Sequence, residues 1–200
     1  MMDKIKQKIE VLKKVYKFRK VVKNPWSSLY QYAVLKLPYI VLELKNGGRL
    51  IVDDFNYEQI LDHYYLGNII DIDQNWIIIK LRGKEYSIPT DELSYHSIDI
   101  LLLEIDDGWE YKWDHWEKDE INFKHLYHAI TETFEEKQWD FLNVKDKDVL
   151  DIGAFIGDSP IYFILKGAKK VYAIEPHPDA YNEMLENIKL NAMKDKIIPI

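Results

Sequence analysis

VLDIGAFIGDSP, residues 149–160, followed by VYAIEP, residues 171–176, is the stretch whose reading decides the fold. Residues 148–152 form a short apolar run that ends in a glycine-bearing turn, the pattern of a buried strand. A helix is predicted from about residue 160 to 166. Asp158 or Ser159 serves as its N-cap, Pro160 stands at its first position and Gly167 stops it, with Ile161, Ile164, Leu165 and Ala168 as the apolar face. Residues 170–174 read as a second strand. A second helix over 179–190 carries Tyr181, Met184, Leu185 and Ile188 at i, i+3, i+4 and i+7, and residues 197–200 begin a third strand. Strand, helix, strand, helix, strand predicts parallel pairing with right-handed crossovers. The fold class is therefore α/β, the start of a Rossmann-like doubly wound parallel sheet.

The turn carries the chemistry. Gly153 and Gly157 allow a ligand to approach backbone that a Cβ would shield, and the helix that follows offers free N–H groups. Glu175 ends the second strand 22 residues after Gly153, where a doubly wound fold places an acidic acceptor for ribose hydroxyls. A dinucleotide fingerprint starting at Gly153 would need glycines where Phe155 and Asp158 stand. Asp151 and Asp158 would also repel a pyrophosphate. They suit a nucleoside ligand that is cationic and carries no phosphate, which S-adenosylmethionine (SAM) is.

DIGAFIGD, residues 151–158, resembles the first motif of class I SAM-dependent methyltransferases. The longer stretch from Val149 through Asn191 resembles the FkbM family, whose pattern is D-x-G-A-N-I-G followed by a strand ending Glu-Pro. Phe155 departs from it where Asn is usual. The resemblance covers residues 147–200 and implies a sheet of the class I methyltransferase type with SAM as cofactor. Position by position, it implies that Asp151 orders the turn and holds the amino-acid end of SAM. Gly153, Ala154, Phe155 and Gly157 form the backbone cradle, and Asp158 and Ser159 border the amino-acid moiety. Glu175 binds the ribose, while Pro176 and His177 border the adenine. The implied reaction is O-methylation of a sugar, glycolipid or other small hydroxyl acceptor, with no catalytic base assigned. A non-catalytic binding or assembly module built on a degenerate Rossmann-like domain, and an NAD-dependent oxidoreductase, are the alternatives.

Such a sheet has seven strands, and residues 149–200 supply about three. The chain is accordingly expected to be a truncated piece of a longer protein, inactive alone, with its first strand at an open edge that invites self-association.

The other residues read as three segments. Residues 1–24 form a basic amphipathic helix with Ile5, Ile9, Leu12 and Tyr16 on one face, suited to docking on protein or to lying on a membrane surface through residues 3–23. Residues 25–106 read as a small, mainly β domain. It has a hairpin over 39–54, a short helix over 57–65, a second hairpin over 76–88 and a strand over 98–105. Residues 107–146 form an acidic, Trp-rich connector, then a helix with Phe123, Leu126, Tyr127, Ile130 and Phe134 on one face. Residues 147–200 are the SAM-binding domain.

The chain has no cysteine, which excludes thiolate chemistry, and no apolar stretch of the roughly 20 residues that cross a bilayer. No secretory signal is visible, so a cytoplasmic location is expected. Net charge is −7 over 200 residues, which argues against nucleic acid as a partner, although residues 1–23 alone hold nine Lys and Arg against two acidic residues. His125, His128 and Glu132 sit together on the predicted helix but on its solvent face, so no metal site is expected. Trp109, Trp113 and Trp116 read as core or docking residues before sugar-stacking ones.

Overall fold

The computed structural model describes residues 2–200, with side chains from residue 6 onward. It divides into two compact units, one running up to Asp106 and the other Asp107–Ile200.

The first unit runs α1 (Met2–Phe18), α2 (Pro25–Ala33), β1 (Tyr39–Glu43), β2 (Arg49–Asp53), α3 (Asp54–Leu66), β3 (Ile69–Ile72), β4 (Trp76–Leu81), β5 (Lys84–Pro89), a 3-10 turn (Thr90–Ser94) and α4 (Ile98–Asp106). Both predicted hairpins form. β1 pairs antiparallel with β2, and β4 with β5, where Arg82 and Gly83 both take positive φ, 49° and 84°, as a two-residue hairpin turn requires. β3 adds a third strand beside β4.

Two differences have clear causes. Residues 98–106 are helix, not strand. Ile98, Leu101, Leu102 and Ile105 are buried at i, i+3, i+4 and i+7, a helical period hidden in a short run that is apolar almost throughout. On α1, the expected face is the wrong one. Ile9, Leu12 and Tyr16 are exposed, and Ile5 lies outside the described side chains. The buried stripe is Val15 and Phe18, continued by Val22 beyond the helix, and it brings the Phe18 ring within 5.4 Å of the Tyr64 ring. Lys14 bonds Asp62 at 2.6 Å beside it. Among its described residues the unit thus holds four helices besides five strands, more helix than a mainly β reading allows.

The second unit opens with a small antiparallel sheet of β6 (Glu110–Tyr111), β7 (Trp116–Lys118) and β8 (Ile121–Phe123) where a connector was expected. Trp109 and Trp116 are fully buried in it, and Trp113 stands 89% exposed. The predicted long helix shrinks to α5 (His128–Ile130) and a π-turn (Thr131–Glu135). Its apolar residues Phe123, Leu126 and Ile130 are buried all the same. Helical hydrogen bonds are replaced near its start: the Asn122 and Lys124 N–H groups donate to the side chains of Asn191 and Asn187, at 2.9 and 2.8 Å.

The sheet expected from the sequence follows: β9 (Asp148–Ile152), α6 (Asp158–Leu165), β10 (Lys170–Ile174), α7 (Pro178–Leu190) and β11 (Ile197–Pro199). All pairing is parallel, in the order β11-β10-β9, with Asp151 opposite Ala173 and Ile152 opposite Ile174. Val171 and Ala173 are buried, whereas Leu150, Ile152 and Tyr172 are exposed on alternate positions. β9 is an edge strand of this sheet. Among the described residues, no helix is long and apolar enough to cross a membrane.

Candidate functional site

The turn between β9 and α6 is built on three left-handed residues: Gly153 at φ 84°, Phe155 at 46° and Gly157 at 89°. The N–H groups of Gly153 and Ala154 both donate to the Ile174 carbonyl, at 2.9 and 3.0 Å, which stitches the turn to the end of β10. The two glycines serve different needs. A Cβ on Gly153 would meet nothing within 4 Å, so this backbone faces open space. A Cβ on Gly157 would lie 3.0 Å from Cγ of Met184, so Gly157 lets α6 pack against α7.

Glu175 reaches over this turn. One carboxylate oxygen accepts the Phe155 N–H at 2.8 Å and the other accepts the His177 N–H at 2.8 Å. Two fixed donors orient the carboxylate and leave lone pairs on both oxygens for further donors. Gly153, Ala154, Phe155, Glu175 and His177 therefore converge on one place, with Pro176 exposed between the last two. The Phe155 ring stands edge-on to Tyr127 at 5.2 Å, and the Tyr127 hydroxyl donates to Glu183 at 2.8 Å. His125 Nδ1 lies 3.2 Å from the other Glu183 oxygen.

Asp151 and Ser159 form a second pair, the Ser159 hydroxyl donating to Asp151 at 2.7 Å. Burial pushes the Asp151 carboxyl above the usual range, and the Ser159 bond opposes that rise. Asp158 lies deeper, at 5% exposure, and accepts from the Thr133 hydroxyl at 2.7 Å. Burial raises its pKa to about 7, against the opposing Thr133 bond. Neither side chain caps the helix. Gly157 occupies the N-cap position and α6 starts at Asp158, two residues before the predicted start. Gly157 at positive φ turns the chain without a capping side chain, which frees Asp158 for Thr133 and Ser159 for Asp151.

Sequence reasoning missed Asn187. It is fully buried on α7, donates from Nδ2 to the Ile156 carbonyl at 2.9 Å and accepts the Lys124 N–H at 2.8 Å. It therefore joins the glycine turn to residues just after β8. Its signal was present: an asparagine on the apolar face of a helix, three residues after Met184. Thr133 had no such signal, because its partner is 25 residues away. The His125, His128 and Glu132 grouping is not on one helix: His125 precedes α5 and binds Glu183, and His128 faces Glu132 at 3.8 Å on the surface. Among the described residues, no group of three or more His, Asp or Glu is placed to hold a metal ion.

A parallel half-sheet whose glycine turn faces open space under a fixed acidic strand end is the frame of a class I SAM-dependent methyltransferase. Residues 115–200 match the family model of the TRM5/TYW2 methyltransferase domain, so the class is methyltransferase and the cofactor is SAM. A curated relative is the tRNA (guanine(37)-N(1))-methyltransferase Trm5b of Methanocaldococcus jannaschii, 45% identical over 49 residues, which is 24% of this chain and 15% of that protein. The match thus spans far less than two thirds of the relative's length. Among solved structures, M. jannaschii TYW2 in complex with AdoMet matches at 23% identity and TM-score 0.32, covering 66% of this chain and 45% of that one. The complex of aTrm5 and tRNALeu matches at 23% identity and TM-score 0.30, covering 66% and 29%.

Two expectations are corrected by these findings. The class I level of the resemblance stands, but the matching family model is TRM5/TYW2 and not FkbM. The glycine turn is common to class I enzymes, and Phe155 in place of Asn already marked the departure. The expected small-molecule or glycan acceptor, with no nucleic acid, is overturned by a relative that is a tRNA methyltransferase. The charge argument averaged −7 over a chain whose first 23 residues alone hold nine of its 27 basic residues against two acidic ones.

Proposed function

We propose that this chain carries the SAM-binding part of a methyltransferase whose acceptor is a nucleotide of tRNA. The observation that carries the SAM site is the Glu175 carboxylate, fixed by the Phe155 and His177 N–H groups above the open side of Gly153. When bound, SAM supplies an electrophilic methyl group on a sulfonium. Glu175 accepts from the ribose hydroxyls with the lone pairs its two N–H donors leave free. Gly153 and Ala154 bring bare backbone against the ligand, and Asp151, held by Ser159, faces its cationic amino-acid end. Asp158 lies beneath, within reach through its field alone. Phe155, Pro176 and His177 form an apolar and aromatic border for the adenine. Transfer of the methyl is a direct displacement, so alignment carries more of the rate than acid–base chemistry.

The acceptor assignment rests on the curated tRNA-methylating relative, 45% identical over the 49 matched residues. Equilibrium titration of the 200-residue chain tests both halves of the reading. SAM and unfractionated tRNA should bind, and NAD and a panel of glycans should not. NAD binding tighter than SAM overturns the cofactor site. Glycan binding in preference to tRNA overturns the acceptor.

A further inference from the structure

The first unit holds a groove of about 480 Å³ lined by Arg19, Lys20, Val22, Lys23, Pro25, Trp26 and Lys45. Its four cations are all exposed, and among the described residues none has a carboxylate within ion-pair distance. The Arg19 guanidinium donates to the Tyr16 hydroxyl at 2.6 Å and lies 3.8 Å over its ring. That is a notable state for a chain with seven more acidic than basic residues. The chain holds enough carboxylates to pair these groups, yet among the described residues none of the four meets one. Lys14 shows the contrast, being tied to Asp62 three residues before Lys17, which itself bonds the Tyr65 carbonyl.

The groove also has an aromatic wall. Trp26 is 50% exposed at its edge, and Tyr30, one turn further along α2, is 53% exposed. Pro25 begins that helix and Ser28 is anchored to the Tyr57 hydroxyl at 3.2 Å, so the platform sits on a fixed element. Cations without carboxylate partners, tracking a groove beside exposed aromatic faces, are what single-stranded nucleic acid binds: cations take the phosphates, and bases of any identity stack on the rings.

We propose that this groove is an RNA-contact surface, in which Arg19, Lys20, Lys23 and Lys45 hold backbone phosphates and Trp26 stacks on an unpaired base. The proposal deepens the tRNA reading above and rests on it. It places the RNA contact on the first unit, away from every residue of the glycine turn in sequence.

The test compares the wild-type chain with Lys20→Glu/Lys23→Glu/Lys45→Glu, with Trp26→Ala, and with two controls, Lys6→Glu/Lys8→Glu/Lys13→Glu and Trp113→Ala. Thermal unfolding and SAM titration accompany each variant, so loss of fold is recognised. The probes are unfractionated tRNA and a labelled 12-nucleotide single-stranded RNA. The groove triple variant should weaken both RNAs by about tenfold or more and reduce the salt dependence of log K by about 2, the value for three lost phosphate contacts on a single strand. Trp26→Ala should weaken the single strand by about fivefold or more, the loss of one stacked base. Equal loss in both lysine triples, or loss on Trp113→Ala and not on Trp26→Ala, overturns the groove and leaves the tRNA reading standing. No RNA binding by the wild-type chain overturns both, while SAM binding is judged separately. Groove-dependent binding to phosphatidylcholine vesicles containing phosphatidylserine, without RNA binding, assigns the surface to membrane and overturns the proposal.

Discussion

The glycine turn, residues 153–157, and the segment that begins with β8, residues 121–135, differ in what holds them. The turn is shaped by its own backbone. Three positive-φ residues and bonds from Gly153 and Ala154 to Ile174 define it, and Glu175 closes it. The other segment is shaped from outside. Its N–H groups at 122 and 124 end on Asn191 and Asn187, and Thr133 is spent on Asp158. Local torsional chemistry is written where it acts, whereas a segment held by distant side chains carries a pattern that several structures satisfy. Asn187 touches both regions, so the turn depends on the weaker segment more than its sequence suggests.

The largest expected effect is on pH dependence. Burial gives Asp158 a pKa of about 7, above its ordinary value of 3.8. A carboxyl whose folded pKa is raised contributes stability that is present below the unfolded value and lost as pH rises through the folded one. Wild-type stability should therefore fall by up to about 4 kcal/mol between pH 4 and pH 8, by the linkage of pKa to free energy. Asp158→Asn should show no such fall from this site, and should be the more stable protein above pH 7. Parallel denaturation curves for the two chains across that range would contradict the burial of a protonated carboxyl.

Asn187→Ala attacks the link between the two regions. It strands the Ile156 carbonyl and the Lys124 N–H, and each buried unsatisfied group costs about 1–3 kcal/mol. A loss of about 3 kcal/mol by urea denaturation is expected. If exchange of the 121–127 amides rises while the turn keeps its SAM affinity, the two regions are less coupled than Asn187 implies.

The glycines sharpen the same comparison with smaller effects. Gly157→Ala combines positive φ with a Cβ 3.0 Å from Met184 Cγ, and should destabilise by about 2 kcal/mol. Gly153→Ala meets no protein atom, so its stability loss should be about 1 kcal/mol, from backbone strain alone. SAM affinity should fall more for Gly153→Ala than for Gly157→Ala. The reverse order would show that the open side of Gly153 is not where the ligand lies.

Much of this was legible. The alternation of strands and helices after residue 147, both glycines and Glu175 follow from local rules on apolar period, positive φ and strand ends. The hairpin turn at Arg82 and Gly83 was legible for the same reason. What was not legible depended on partners far along the chain. Residues 98–106 gave an apolar run that fits strand and helix equally until its neighbours are known. The buried face of α1 was fixed by Tyr64 and other residues of α3, not by α1 itself. Asp158 looked like a helix cap because nothing nearby announces Thr133.

Calorimetric titration of SAM into the wild-type chain and Glu175→Ala tests the central claim most directly. The account predicts binding to the wild type and a loss of about 10- to 100-fold in the variant, the range for hydrogen bonds to a charged group, with thermal unfolding showing an intact fold. Equal SAM affinity in the two folded proteins would contradict it, because the carboxylate held over Gly153 would then not be part of the site.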